Sequence, residues 1–136
     1  MASSGVVFAG MQPYGLLPDI IRSSDICINP FELNGVTERI LPTKLFQYLA
    51  CARPVVSTKL PGTLPFLKGE EEGVVYSTQD DFVESISMLL SDPARRAVLG
   101  KAGAQAAQQY DWKGIAGQMV EWLSELISTE AISQRK

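Results

Sequence analysis

The 136 residues, 46% of them hydrophobic, suffice for one domain with a sizeable core. A net charge of −3 without a basic cluster argues against nucleic acid as a partner, and no apolar run approaches the ~20 residues of a membrane span. Histidine is absent, which removes histidine acid–base catalysis, serine–histidine nucleophiles and most zinc sites.

The apolar run G-V-V-F-A-G at 5–10 predicts a strand buried on both faces. Residues 11–17 read as loop, broken by Pro13 and Gly15, and 18–23 as a short helix with Pro18 in its first turn. A second strand is expected over 25–30, followed by the polar loop E-L-N-G-V-T-E-R at 32–39. Leu45, Phe46, Leu49 and Ala52 recur at helical spacing, so 43–52 should form a helix opened by Pro42 and closed by Pro54. Val55–Thr58 is the third expected strand, 60–73 a loop with one helical turn, and 74–76 the fourth strand. Ser77 and Thr78 precede Asp80 and Asp81, a capping pattern, before a helical stripe of Phe82, Ile86, Leu89 and Leu90. Asp92-Pro93 is a cap and first residue for the next helix, with Val98, Leu99, Ala102 and Ala106 inward. The last helix carries Trp112, Ile115, Met119, Trp122, Leu126 and Ile127 on one stripe, so both tryptophans read as core. The domain then spans 1–128, with 129–136 a polar tail expected to fray.

Alternating strands and helices imply an α/β fold: a parallel, Rossmann-like sheet of about four strands with flanking helices and a helical C-terminus. Ligands bind such sheets beyond the carboxyl ends of the strands. Cys27 and Cys51 lack metal or redox spacing and read as small core residues. Reduced cysteines and the lack of a signal sequence point to the cytoplasm.

Two features of the central stretch suggest an anion site. Gly35 within Asn34, Gly35, Val36 and Thr37 would let successive amides turn toward a phosphate, although Asn-Gly is equally the dipeptide of an ordinary turn. Lys44 opens a helix, an unfavourable place for a cation unless an anion lies near; the plain alternative is a solvated lysine. Tyr14 is either a packing aromatic or a stacking surface. No G-x-G-x-x-G, no Walker lysine motif and no strand-end aspartate is present, which disfavours dinucleotide, P-loop and phosphoacceptor chemistry.

The stretch Pro42, Lys44, Gln47, Tyr48, Leu49, Ala50, Ala52, Pro54, Val55 and Val56 resembles the P-x-K-x-x-E-Y-L-A-x-G-x-P-V-V run of retaining GT-B glycosyltransferases, group 1 or family 4-like. D-I-C-I-N-P-F upstream and a W-x-x-x-A pattern downstream extend the resemblance over nearly the whole chain. It implies part of the C-terminal, donor-binding domain, with a nucleoside-diphosphate sugar as ligand and neither cofactor nor metal. Asn34, Gly35, Val36, Thr37 and Lys44 would then face the donor diphosphate and sugar, Gln47 the ribose, and Met11, Gln12 and Tyr14 the base. No catalytic residue is assigned. Two departures stand out: Gln47 replaces the usual glutamate, and Arg39 falls where its paired glutamate would be. In similar domains the sheet runs 3-2-1-4-5-6, and this chain resembles the part from the third strand onward. The resemblance therefore implies an absent N-terminal acceptor domain, inactivity of the isolated chain, and open strand edges that pair 5–10 with 25–30 or with another molecule. It also implies a full-length enzyme peripheral to the inner membrane face. The alternative function is a non-catalytic remnant or interaction domain of the same fold.

Overall fold

The computed structural model describes residues 5–133. Three parallel strands, β1 (Cys27–Asn29), β2 (Val55–Thr58) and β3 (Val74–Ser77), lie side by side in that order. Cys27, Val55 and Val74 are level, as are Asn29, Ser57 and Tyr76. Helix α1 (Leu17–Arg22) precedes β1, and α2 (Lys44–Ala50) connects β1 to β2. Helices α3 (Phe82–Ser91), α4 (Pro93–Ala107) and α5 (Trp112–Ser133) follow the sheet.

Every residue of β2 is buried, as its V-V-S-T composition requires of a central parallel strand. The pleat sends Val55 and Val56 to opposite faces. Val55 packs with Leu45, Leu49, Leu67 and Val74; Val56 packs with Leu89 and Leu99. Helices therefore cover both faces, and the α/β parallel architecture stands.

Helix α4 begins on Asp92, whose Oδ1 accepts the Arg95 N–H at 2.8 Å, with Pro93 as first residue. Its Gly100 and Gly103 admit close neighbours. A Cβ on Gly100 would stand 2.4 Å from the Ala52 carbonyl oxygen, and one on Gly103 would stand 2.6 Å from Leu49 Cδ2. Helix α2 ends in a Schellman turn: Arg53 N–H donates to Tyr48 C=O at 3.1 Å and Ala52 N–H to Leu49 C=O at 2.8 Å. Ala52 is held there at φ 56°, where glycine is the usual residue.

Several expectations are corrected. The sheet has three strands among the described residues, because 5–10 is unpaired and open to solvent, with Phe8 93% exposed. It does not pair with β1. An apolar strand needs cover on its faces as well as a ladder to offset its ordering entropy, and the three-residue edge of β1 offers only a short ladder. Trp112 and Trp122 are not core: they are 81% and 63% exposed on an α5 stripe that lies open. Periodicity specifies which residues share a face, not what covers it. For the same reason Val98 and Leu90 are exposed beside the buried Leu99 and Leu89. Part of 11–17 is also helical, as a short turn over Tyr14–Leu16 leads into α1. Of the tail expected at 129–136, residues 134–136 lie outside the described residues, and α5 continues through Ser133.

Candidate functional site

The buried polar side chains, Asn29, Ser57, Thr58, Thr63 and Ser77, gather at one end of the molecule, at or just beyond the carboxyl ends of the strands. Buried polar groups need partners, and here they satisfy one another and the loop backbones. Asn29 Nδ2 donates to Ser57 Oγ at 3.0 Å. Thr58 Oγ1 accepts the Phe31 N–H at 2.9 Å and donates to the Phe31 carbonyl at 3.0 Å. Ser85 Oγ donates to Ser77 Oγ at 2.9 Å. Beyond β2, Thr63 Oγ1 donates to Leu60 C=O at 2.7 Å, and the Tyr76 hydroxyl donates to Leu67 C=O at 2.6 Å while lying 3.1 Å from Thr63 Oγ1. Burial raises the Tyr76 pKa, outweighing the opposing Thr63 hydrogen bond, so the phenol stays a donor at neutral pH.

Above this belt lies an open cleft of about 540 Å³. Phe31, Glu32 and Leu33 come from the loop after β1, Thr58 and Lys59 from the end of β2, and Tyr76, Ser77, Thr78 and Gln79 from the end of β3. An extension reaches Pro30 and Phe82. Lys59 is the cation and Glu32 the anion of the lining; the rest alternates aromatic surface with hydroxyl and amide groups. Such a lining suits a ligand with ring faces, hydroxyls and negative charge. Burial pushes the Cys27 thiol, at the far end of the sheet, up to about 11, so it stays protonated and unreactive.

The residues singled out from sequence do not line this cleft. Asn34, Gly35, Val36 and Thr37 directly follow Leu33 and fold into an interlocked turn. Asn34 Oδ1 accepts the Val36 and Thr37 N–H groups, each at 3.0 Å, and Thr37 Oγ1 accepts the Asn34 N–H at 2.9 Å. Thr37 Oγ1 in turn donates to Glu32 C=O at 2.6 Å. Three of the four amides expected to face a phosphate are thus occupied by their own loop, leaving Gly35, which holds no positive φ. Lys44 opens α2 and Gln47 stands one turn on, both exposed. The β1–α2–β2 connection brings the start of α2 to the carboxyl end of the sheet. Met11, Gln12 and Tyr14 are exposed and outside the cleft lining.

Sequence reasoning placed the strand ends but gave no binding role to Thr58, Lys59, Tyr76, Ser77, Thr78 or Gln79. The signal was present: V-V-S-T and V-V-Y-S put hydroxyls at the last positions of otherwise apolar strands.

The sequence profile of the glycosyl transferase-like family matches residues 3–121. A protein of Bacillus subtilis (strain 168), which carries the provisional name teichuronic acid biosynthesis glycosyltransferase TuaH, is 27% identical over 125 residues, covering 86% of this chain and 30% of the relative. Sucrose-phosphate synthase from Thermosynechococcus elongatus superposes with a TM-score of 0.68 at 24% identity, over 90% of this chain and 30% of that enzyme. The fold is thus that of part of a GT-B glycosyltransferase, and the chain spans about 30% of the length of the proteins it matches.

Proposed function

The chain belongs to the glycosyl transferase-like family, and we propose that it forms the nucleotide-sugar donor-binding part of a retaining glycosyltransferase. One observation carries the reading: a cleft at the carboxyl ends of a parallel sheet, backed by a belt of buried polar side chains and edged by Lys59. Ligands of parallel sheets bind at that end.

In this reading the donor diphosphate lies between the cleft and the start of α2. Lys44 and Lys59 supply positive charge, and the turn of Asn34, Gly35, Val36 and Thr37 offers the Gly35 amide on a backbone already fixed by its own hydrogen bonds. Gln47 accepts a ribose hydroxyl through its amide oxygen, and Met11, Gln12 and Tyr14 border the base. When the sugar leaves with retention, negative charge grows on the diphosphate. Cations held in place beforehand stabilise that charge without reorganisation, which is where electrostatic catalysis gains most.

The chain spans about 30% of its relatives' length, and in this reading the acceptor-binding half corresponds to the part of them it does not match. The isolated chain therefore transfers no sugar and binds nucleotide weakly, and its open β1 edge and residues 5–10 recruit a strand from another chain. The reading places it in the cytoplasm, with the full-length enzyme peripheral to the inner membrane face. A second reading, a non-catalytic module of the same fold, draws on Gln47, Arg39 and the three occupied loop amides. Thermal shift with UDP-, GDP-, ADP- and dTDP-sugars separates the two. A ligand that binds only the folded state raises the melting temperature, and no shift with any donor at millimolar concentration would favour the second reading.

A further inference from the structure

Thr58 joins two of the three loops that build the cleft. The register pairs Asn29 with Ser57, so the next residues in step are Pro30 and Thr58. Cys27 N–H donates to Pro54 C=O, so alternate residues of β1 face β2, and Phe31, two past the last residue of the strand, is the next to present its N–H there. The Thr58 side chain takes over: Oγ1 accepts from Phe31 N–H at 2.9 Å and donates to Phe31 C=O at 3.0 Å. Two bonds to the backbone of one residue fix its orientation as well as its position. Thr58 is itself only 5% exposed and cannot swing away, whereas Glu32 and Leu33, which line the cleft just beyond Phe31, are exposed.

We propose that Thr58 is a positioning residue for donor binding: its hydroxyl locks Phe31 and thereby sets where Phe31, Glu32 and Leu33 meet the ligand. The proposal rests on the donor-site reading above. The lock acts on the loop rather than on the ligand, so losing it should weaken binding without removing any ligand contact.

The test compares Thr58→Val, which keeps the shape and removes the hydroxyl, with Thr58→Ser, which restores it. Gly103→Ala, at the opposite end of the sheet, serves as a destabilised control. Each variant of the 136-residue chain is titrated by NMR with UDP, GDP, ADP and dTDP, and exchange of the Phe31 amide is followed in parallel. We expect Thr58→Val to weaken nucleotide binding about tenfold, a loss of about 1.4 kcal/mol, and to speed Phe31 exchange. Thr58→Ser should bind within about threefold of the parent, and Gly103→Ala should melt lower yet bind unchanged. Unaltered binding by Thr58→Val, or equal weakening in Gly103→Ala, overturns the positioning role and leaves the donor site standing. If the parent binds none of the four nucleotides, the donor reading falls and the role falls with it.

Discussion

The two ends of the sheet are built by opposite means. At the amino end, α4 presses Gly100 against the backbone that closes α2 and Gly103 against the Leu49 side chain, and both contacts leave no room for a Cβ. At the carboxyl end, hydroxyl and amide side chains hold loops that stay open to solvent above a cleft. Close backbone packing tolerates no added atom but offers no chemistry. Side-chain latches tolerate movement and leave polar groups for a ligand. Stability and binding should therefore respond to different substitutions.

The largest effect is expected from Gly100→Ala. Its Cβ would sit 2.4 Å from the Ala52 carbonyl oxygen, which belongs to the Schellman turn and has little room to yield. A loss of about 3 kcal/mol in urea unfolding is expected, the upper range for overpacking, with nucleotide affinity of the folded fraction unchanged. A neutral result would mean that the amino end is looser than its geometry. At the other end, Lys44→Ala should do the reverse: melting within a degree or so of the parent, and nucleotide binding weakened by about 1.5–3 kcal/mol, as for a hydrogen bond to a charged group. An unchanged dissociation constant, measured by calorimetry, assigns Lys44 to the surface and leaves Lys59 as the cation of the site.

The amino end should also show in the pH dependence of stability. Buried Cys27 keeps its proton to about pH 11 in the folded state, against 9.0 for an ordinary thiol. Between those values the unfolded chain releases a proton that the folded chain retains, so stability is complete below pH 9 and falls as pH rises toward 11. Cys27→Ala should flatten that part of the melting profile; if the profile is unaltered, the thiol is not the titrating group. The smallest effect is expected from Ala52→Gly. Relief of the positive φ, less the greater freedom of glycine in the unfolded chain, should stabilise by about 0.5–1 kcal/mol. A loss of stability would show that the Ala52 methyl group packs usefully there.

The sequence by itself determined the elements whose signals are local. Val55–Thr58 is a strand at the expected residues, Asp92 caps α4, and the order of strands and helices already implied a parallel sheet. Caps, breakers and apolar runs act within a few residues, so the chain displays them directly. Tertiary structure decided what is covered and what is joined. Residues 5–10 and the α5 stripe are as apolar as the strands that are buried, yet they lie open, because burial requires a partner surface that a residue's own spacing does not reveal. The Asn34 side chain occupies two of the amides its loop was expected to present, the ordinary turn that Asn-Gly also allowed and that the folded loop selects. Thr58 meets Phe31 across 27 positions, and Lys59 and Tyr76 reach one cleft from different strands, since side chains distant in sequence become neighbours only when the sheet assembles.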